Sequence, residues 1–559
     1  MAERITRRHL LGAAGATGAW LAWAAAGNSA HAEWASPSFP GDPFTLGVAS
    51  GEPRSDGVVL WTKLAPDPLA PDGLGGMPSR VVPVRWQVAT DTAFRQVVAT
   101  GIERATPELG HSVHAEVTGL DPAREYYYRF RAGPEVSPVG RTRTAPREHS
   151  DYDALTFALA CCQNYAAGHY TAYEHLAAQD VDLVVFVGDY IYEGPGQGSI
   201  GRAHLPPREI VSLADYRVRH GQYRSDPSLQ AAHARAPWLV VFDDHEVDNN
   251  WADETPSGDQ PVEEFLRRRA AAFQAYYEFM PLRRFSEPDG IDIQLYRRVD
   301  WGRLASFHIL DTRQYRDPYA CGAEFSTCPE AFDPNRSILG FEQEDWLVDG
   351  LRRSRARWDF ITQQGAFVRR LIDRSGELML KMDAWDGYVG SQQRVTRGWV
   401  DAGVRNPVVL SGDVHAHWAC DLKLDYDSPD APVVGSELIT TSITSGGTGE
   451  DWVPGVHPAF EFNPHLRFYT NLRGYLLNTV TRDGLQADYH CVRDVLAPGA
   501  EVFRRASFVI EDGVRGLRQT YDGPSPTAST TAPRFTDEER RRAIDALIAW
   551  ESDDEQVGV

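Results

Sequence analysis

The spacing of apolar positions divides the chain into two parts. Between residues 44 and 146, short runs such as VVLWTKL, VPVRWQVAT and EYYYRFRA alternate apolar with polar positions and are separated by Pro, Gly and Asp. This alternation is typical of strands with one buried face, joined by turns. From residue 153 onward, apolar runs such as LTFALA, LVVFV and NPVVLSG are separated by amphipathic segments such as EEFLRRRAAAFQAYYEFM. The second pattern predicts buried strands alternating with helices.

These two patterns define the domains that we expect. Residues 40–146 are predicted to form a small β-sandwich of the fibronectin or immunoglobulin type without a catalytic role, because TGLDPAREYYYRFRA is typical of such domains. Residues 153–513 are predicted to form a layered α/β catalytic domain. A chain of 559 residues is too long for a single hydrophobic core, which supports this division.

The N-terminus has the pattern of a targeting segment. Residues 1–32 contain the adjacent Arg7 and Arg8, an apolar run diluted by Gly and Ala, and a final Ala-His-Ala that suits cleavage. This combination predicts a twin-arginine signal peptide, contact with the twin-arginine export machinery, and a secreted or periplasmic protein. A short membrane anchor is the alternative.

The C-terminus is predicted to form a linker and a helix over residues 521–559. The linker, DGPSPTASTTAP, is rich in Pro, Ser and Thr. A capping box of Thr536 and Glu539 begins the helix, and its apolar positions lie on one face. We expect this helix to dock on the catalytic domain, where it is placed to act as a lid.

The charge of the chain limits its partners. The formal net charge is −22 and the pI is about 5.2. This balance argues against broad electrostatic binding to nucleic acid or anionic membranes. It leaves room for a small cationic site built around metal ions. We expect a monomer with no specific nucleic-acid partner and, after cleavage, no transmembrane anchor.

Six cysteines occur in a chain that is predicted to reach an oxidising compartment. Cys321 and Cys328 bracket the loop CGAEFSTC, which suits a local disulfide. Cys420 and Cys491 each follow a predicted strand and are placed to link two strands.

The adjacent Cys161 and Cys162 are a separate case. Disulfide geometry does not suit neighbouring residues, so both are expected to remain thiols. Side chains alternate along a strand, and the two therefore point to opposite faces. Unpaired thiols are unusual in an oxidising compartment, so the presence of these two needs an explanation. We expect Cys161 to be a buried structural thiol.

Polar side chains collect where the predicted strands end, which is where layered α/β folds place their chemistry. The strand ends offer, in chain order, Cys162, Asn164, Asp189, Tyr190, Tyr192, Asp243, Asp244, His245, Asp248, Asn249, Gln363, Gln364, Asp413, His415 and His417. Together these ligand types resemble a site for several metal ions, and they suit Fe(III) beside divalent cations. Two metals that share a carboxylate are the usual arrangement for displacement at phosphorus.

Some of these residues have a simpler structural explanation. Tyr190, Asp243, Asp248 and Asn250 are expected to be structural, and His417 is expected either to support the metal ligands from behind or to form the wall of a pocket. The sequence SITSGG at 442–447 is an ordinary Gly-rich turn that has the position to border that pocket.

The order of the motifs resembles that of calcineurin-like metallophosphatases, whose blocks run Asp-x-His, Gly-Asp, Gly-Asn-His-Glu/Asp and Gly-His-x-His. Here GD at 188–189 matches the second block, DDHE at 243–246 takes the place of the third, and GDVH at 412–415 takes the place of the last. The first block is replaced by Cys-Cys-Gln. Tyr192 lies three residues after Asp189, as the iron-binding tyrosine does in purple acid phosphatases.

This set of departures resembles the alkaline phosphatase D (PhoD-type) family, which includes secreted phosphodiesterases of the phospholipase D type. The resemblance extends over nearly the whole chain and rests on CQNY, GDYIYE, DDHEVDNNW and SGDVHAHW. It implies a layered metallophosphatase β-sandwich flanked by helices and preceded by a small all-β sandwich domain.

The resemblance also implies the metal ligands. Cys162, Tyr192 and His415 correspond to the thiolate, phenolate and imidazole that bind iron, and Asp189 corresponds to the carboxylate that bridges iron and calcium. The implied ligands on the calcium side are Asn249, Gln364 and Asp413. Mn²⁺ and Zn²⁺ are possible substitutes for these ions.

Two further residues are implied to be catalytic. His245 holds the phosphate or protonates the leaving group. Asp244 stands where the wider superfamily has Asn, and it is either a ligand or a residue that orients His245.

These inferences predict a secreted, metal-dependent phosphoesterase that hydrolyses phosphomonoesters, phosphodiesters or both, using Fe(III) and Ca²⁺. The alternative is a phosphodiesterase of the phospholipase D type, or one directed at a polymer. A third hypothesis is a non-catalytic extracellular protein that binds metal. The presence of His245 and of a ligand set with open positions argues against this hypothesis.

Overall fold

The structure is a computed structural model that describes residues 39–196, 198, 200–322, 324–374, 377–428, 430–451, 460 and 462–524. The predicted signal peptide at 1–32 and the predicted helix after Thr536 lie outside these residues. Within the described part of the chain, no helix is long and apolar enough to cross a membrane.

The strands of the described residues are β1 (Val48–Arg54), β2 (Gly57–Lys63), β3 (Val82–Ala89), β4 (Val97–Ala105), β5 (Ser112–Val117), β6 (Glu125–Ala132), β7 (Glu135–Val136), β8 (Gly140–Arg143), β9 (Ala154–Ala160), β10 (Leu183–Phe186), β11 (Pro237–Val240), β12 (Arg297–Trp301), β13 (Ala305–Ile309), β14 (Phe325–Ser326), β15 (Trp358–Thr362), β16 (Ile372–Arg374), β17 (Glu377–Lys381), β18 (Pro407–Ser411), β19 (His417–Lys423), β20 (Val433–Ile439), β21 (Leu466–Thr470), β22 (Gly474–Thr481), β23 (Gly484–Val492), β24 (Val502–Glu511) and β25 (Arg518–Asp522). The α-helices are α1 (Thr171–Ala177), α2 (Leu213–Arg224), α3 (Pro227–Arg235), α4 (Val262–Phe279), α5 (Phe341–Arg353) and α6 (Val389–Asp401).

Two large sheets form the centre of the molecule. The ten-stranded sheet has the order β25-β24-β23-β22-β9-β10-β11-β1-β2-β5, with β9, β10, β11 and β1 parallel. The seven-stranded sheet has the order β12-β13-β15-β18-β20-β19-β21, with β13, β15, β18 and β20 parallel. Parallel strands covered on both faces are apolar throughout, which explains the uninterrupted apolar runs of the sequence.

The two large sheets pack face to face. Phe157 of the first sheet meets Phe307 and Phe360 of the second, with ring centroids 5.3 Å from each of them. A second core, which includes Leu347 of α5 and Trp399 of α6, packs against the seven-stranded sheet. The predicted layered α/β sandwich flanked by helices is confirmed.

The N-terminal segment supplies strands to two sheets. β3, β4, β6, β7 and β8 form a sheet of their own, whereas β1, β2 and β5 extend the ten-stranded sheet. The contact is direct, because Ser50 of β1 lies in register with Pro237 of β11. Val58 and Leu60 of β2 share a core with Val84 and Tyr128 of the smaller sheet. Nothing in the sequence pattern signals that the sheet is shared in this way.

The cysteines discussed as disulfide candidates differ in their state. Cys321 and Cys328 form a disulfide, whereas Cys420 and Cys491 are buried thiols. The expected link between Cys420 and Cys491 is wrong, because β19 and β23 belong to different sheets. Sheets pack about 10 Å apart, and a disulfide needs Cα atoms within about 7 Å of each other.

A buried ion cluster ties β2 to α2 and α4. The Glu278 carboxylate lies 3.1 Å from Lys63 Nζ and accepts hydrogen bonds from Arg217 Nε and Nη2 at 2.8 and 2.6 Å. Glu278→Gln is expected to lower the free energy of unfolding by about 3–5 kcal/mol, because two buried cations lose their counter-charge. Denaturant unfolding monitored by circular dichroism measures this change.

Glu501→Gln is the matched control for this prediction. Glu501 pairs with Arg493 at the surface, so its replacement is expected to cost at most about 1 kcal/mol. Equal losses in the two variants would contradict the role given to burial.

Candidate metal centre

The polar residues predicted from strand ends meet at one edge of the sandwich. Backbone hydrogen bonds join the loops that follow β9 and β10, with Cys162 N donating to Gly188 O and Gln163 N to Asp189 O, both at 3.0 Å. The loop after β20 closes against them, because Cys161 forms a parallel bridge with Ser442. Both large sheets therefore contribute to one cluster, as the rule for the carboxyl ends of parallel strands anticipates.

The four residues expected on the iron side converge. A sulfur of Cys162, a carboxylate oxygen of Asp189 and a ring nitrogen of His415 all lie within 4.8 Å of one another. Tyr192 Oη lies 3.0 Å from Asp189 Oδ2 and 3.1 Å from His415 Nε2. Residues more than 220 positions apart in the sequence thus place their potential metal-binding atoms next to one another.

The backbone is left-handed at four of the predicted ligands. The φ angles are 56° at Cys162, 58° at Asp189, 67° at Asp413 and 48° at His415. Such conformations cost on the order of 1–3 kcal/mol each for residues other than glycine and collect at functional sites. The strain turns these side chains out of the strand direction and toward the cluster.

Asp189 also belongs to a second group of ligand atoms. Its carboxylate, that of Asp244 and a ring nitrogen of His245 lie within 4.8 Å of one another. Asn249 is held beside this group, because its backbone N–H donates to Glu193 Oε1 at 2.7 Å. Asp189 is therefore placed between the two groups, where a bridging ligand would be.

Three oxygens in the second group fit a bound cation. Asp189 Oδ1, Asp244 Oδ1 and Asn249 Oδ1 are buried and have no hydrogen-bond donor among the described residues. Unpaired buried acceptors are costly, and a hard cation satisfies them. The donor set of thiol, phenol, imidazole and carboxylate also suits a more highly charged ion next to it.

The electrostatics of the cluster point the same way. Burial raises the pKa of the Cys162 thiol, the Asp189 carboxyl and the Tyr192 phenol well above their usual values. Buried anions of this kind are stable only beside positive charge. A metal ion supplies that charge and deprotonates its ligands.

Asp413 and Gln364 are the other two residues predicted to bind calcium. Asp413 is half-buried, and its carboxylate is close to Gly365. The Gln364 side chain is engaged by the protein, since Oε1 accepts from Thr312 N at 3.1 Å and Oγ1 at 2.5 Å, and Nε2 donates to Leu310 O at 3.0 Å. Ligation by Gln364 would require one of these bonds to break, and its role stays a prediction.

His245 is held by a residue that the sequence analysis did not single out. Glu193 Oε2 lies 2.7 Å from His245 Nδ1, and the rings of His245 and Tyr192 lie 4.2 Å apart. Burial disfavours the imidazolium, but the carboxylates of Glu193, Asp244 and Asp189 outweigh it and raise the pKa of His245 well above its usual value. Glu193 is the last residue of the motif GDYIYE, directly after Tyr192, and its position in this motif is the signal that could have identified it.

Arg313 is the second residue that sequence reasoning missed. Its guanidinium binds Asp243 Oδ1 at 2.6 Å and Asp383 at 2.9 and 3.1 Å, and it lies 3.6 Å from Asp244 Oδ2. Burial opposes ionisation of Asp244, but Arg313 and His245 outweigh it and lower the pKa of this carboxyl. Arg313 follows β13, so the strand-end argument applied to RLASFHILD was the signal that would have found it.

The Gly-rich turn at 442–447 takes part in the cluster. Ser445 Oγ lies 2.7 Å from Tyr192 Oη and 2.9 Å from Cys162 O. The turn therefore fixes the position of two of the predicted ligands rather than being an ordinary connection.

The side chains of Cys161, Tyr190 and His417 contact other parts of the protein. Cys161 Sγ contacts the carbonyl oxygens of Thr440 and Thr441. Tyr190 Oη bonds to His233 at 2.8 Å, and His417 Nδ1 accepts from Thr441 N at 3.1 Å. Cys162 therefore lies among the ligand atoms, whereas the Cys161 thiol is buried against the loop that follows β20.

Comparison with known proteins gives consistent matches. The model of the PhoD-like phosphatase family matches residues 157–489, and that of the PhoD-like phosphatase N-terminal domain matches residues 28–146. Alkaline phosphatase D of Bacillus subtilis (strain 168) is 49% identical over 492 residues, which cover 87% of this chain and 84% of that protein. A solved structure described as that of PhoD is 46% identical, has a TM-score of 0.86, and covers 93% of this chain and 99% of its own. On these matches of sequence and structure, the chain belongs to the PhoD-like phosphatase family.

Proposed function

We propose that this member of the family, a hydrolase of phosphoric ester bonds, is an exported alkaline phosphatase D-like enzyme that works with Fe(III) and Ca²⁺. The observation that carries the proposal is the convergence of Cys162, Asp189, Tyr192 and His415 next to the second group of acidic ligands. Mn²⁺ or Zn²⁺ are the candidates to replace these ions.

The ligands divide between the two ions in this proposal. Cys162, Tyr192 and His415 would hold iron, Asn249, Asp413 and Gln364 would hold calcium, and Asp189 would be shared by the two ions. When bound, the ions supply positive charge that binds phosphoryl oxygens and activates an oxygen nucleophile. The three unpaired buried oxygens of Asp189, Asp244 and Asn249 support the presence of this charge.

The protein's own groups supply the proton chemistry. His245, protonated because of its raised pKa, donates a proton to the leaving oxygen as the ester bond breaks. Glu193 holds the ring by its Nδ1 and leaves Nε2 to face the substrate. Arg313 holds the carboxylates of Asp243 and Asp244 in place, and together with His245 it outweighs burial and lowers the pKa of the Asp244 carboxyl.

Export in the folded state accounts for the thiol ligand. The twin-arginine pattern at Arg7 and Arg8 is the support for this route, which carries folded proteins. A cysteine that already binds metal in the cytoplasm reaches the oxidising compartment in a protected form. The N-terminal leader therefore belongs to the same proposal as the iron site.

Activity measurements test the proposal directly. Purified protein loaded with iron and calcium is expected to cleave nitrophenyl phosphate, its diester analogue, or both. Parallel assays with phosphatidylcholine and with a phosphodiester polymer separate the monoesterase from the phosphodiesterase alternatives. If the loaded protein cleaves none of these esters, the proposed function is wrong.

The identity of the iron has a test that does not depend on turnover. A phenolate bound to Fe(III) absorbs visible light, so the loaded protein is expected to be coloured. Tyr192→Phe is expected to abolish the band, whereas Tyr190→Phe, whose hydroxyl bonds to His233, is expected to retain it. A colourless iron-loaded protein, or a band that survives in Tyr192→Phe, would contradict the assignment.

A further inference from the structure

The outer face of the N-terminal five-stranded sheet is rich in arginine. Arg85 of β3, Arg104 of β4, and Arg129 and Arg131 of β6 occupy alternate positions whose side chains point away from the core. We call these four residues the arginine face. It is a local departure from the acidic character of a chain whose net charge is −22.

The strand register places two of these arginines side by side. Ile102, Arg85, Arg131 and Val136 are consecutive partners across β4, β3, β6 and β7, so they form one row over the sheet. In the next row, Gln87 of β3 lies between Thr100 and Arg129. Like charges directly opposite each other destabilise a sheet, so the Arg85–Arg131 pair has a cost that folding alone does not explain.

Ion pairing distinguishes the arginine face from the strand beside it. None of its four members forms an ion pair with a carboxylate of the described residues; Arg129 donates to Gln87 and Arg131 to Gly133 O. The adjacent strand differs, because Arg141 binds Glu125 and Asp180, and Arg143 binds Asp182. Arginines close to the catalytic layers are neutralised, and those on the outer part of the sheet are left to attract anions.

Aliphatic side chains are exposed among the arginines. The exposed fractions are 50% for Val98, 57% for Ile102 and 49% for Val136. A cavity of about 250 Å³ opens between Arg85, Arg129 and Arg131. A soluble polyanion would use the guanidinium groups but not the aliphatic ones, whereas a lipid surface uses both.

We propose that the arginine face, with Val98, Ile102 and Val136, docks the enzyme on an anionic phospholipid surface. The guanidinium groups bind lipid phosphates, since planar guanidinium and phosphate oxygens pair well. The aliphatic side chains enter the boundary between headgroups and acyl chains. The strand register places both kinds of group on the same side of the sheet, so they can contact a membrane together.

The acidic charge of the rest of the chain does not prevent this contact. At physiological ionic strength, charges are screened over about 8 Å, so acidic residues on distant surfaces have little effect at the sheet. Each arginine near an anionic leaflet strengthens binding about fivefold at such ionic strength. The net negative charge therefore excludes attraction of the whole protein to an anionic membrane, but it permits contact through the arginine face.

Vesicle co-sedimentation of the full chain tests the proposal. The protein is expected to bind vesicles of phosphatidylglycerol and phosphatidylcholine in equal parts and to stay in solution with phosphatidylcholine alone. Arg85→Gln/Arg131→Gln is expected to weaken binding to the anionic vesicles about thirtyfold. Its melting temperature should not fall, because the change removes a repulsive pair, and its hydrolysis of a soluble monoester should be unchanged.

Two further variants complete the experiment. Arg267→Gln/Arg353→Gln removes two exposed arginines from α4 and α5 and changes the net charge equally, so it is expected to bind as the unmodified chain does. Ile102→Ser is expected to weaken binding as well. The proposal is overturned if the unmodified chain ignores anionic vesicles, if the control loses as much binding as Arg85→Gln/Arg131→Gln, or if Ile102→Ser binds normally, which would indicate a general polyanion site.

Discussion

His245→Ala is expected to lower kcat for phosphate esters by about 10²–10⁴-fold, the range typical of a lost general acid. The His245 ring lies among the carboxylates of Glu193, Asp244 and Asp189, which outweigh burial and raise its pKa, so the imidazolium that acts as the acid is favoured. The loss should depend on the substrate. Nitrophenol departs without much help, whereas glycerol needs a proton, so glycerol phosphate should suffer more than nitrophenyl phosphate.

Steady-state kinetics on both esters, with iron and calcium measured in the same samples, check this prediction. Unchanged metal content separates a proton-transfer defect from loss of the metal centre. An equal loss on the two esters would indicate that His245 holds the phosphoryl group instead. An unchanged kcat would remove His245 from the mechanism.

Glu193→Gln gives the same prediction a pH dependence. Because Glu193 raises the pKa of His245, its neutral replacement is expected to lower that pKa. Activity that needs the imidazolium is present below the pKa and is lost as the pH rises through it. The basic limb of the pH profile should therefore move to lower pH in Glu193→Gln. A profile that stays in place while activity falls would limit Glu193 to a packing role.

Cys162→Ser is expected to abolish iron binding and to lower activity more than about 100-fold, since loss even of an outer-shell partner weakens metal binding by 10–100-fold. The Cys162 thiol lies with Asp189 and His415 among the ligand atoms. Serine keeps the size of the side chain but is a poor ligand for iron at neutral pH. Elemental analysis and the visible band of the loaded protein measure the change.

Cys161→Ser is a control one residue away, in the segment that follows β9. Cys161 contacts the carbonyl oxygens of Thr440 and Thr441, and serine is a donor of similar size at this position. This variant is expected to keep its iron, its colour and most of its activity. Loss of iron in Cys161→Ser, or its retention in Cys162→Ser, would reverse the assignment of the two thiols.

Much of the fold followed from local patterns. The helix predicted from EEFLRRRAAAFQAYYEFM is α4, and the run LVVFV is β10, because periodicity reports which faces are buried. The sharing of the ten-stranded sheet by β1 and β11 was not predictable. Pairing between strands so distant along the chain depends on edges that become adjacent only when both segments have folded.

The candidate site shows the same division. The sequence alone determined which ligand types end which strands, because motif spacing and strand ends are local properties. The resemblance to the alkaline phosphatase D family then predicted that Cys162, Asp189, Tyr192 and His415 form one group. Only the tertiary structure decided that Glu193 holds His245, that Arg313 binds Asp243, and that Gln364 is engaged by Thr312. These contacts depend on the direction of side chains in loops that follow different strands, which no spacing along the sequence encodes.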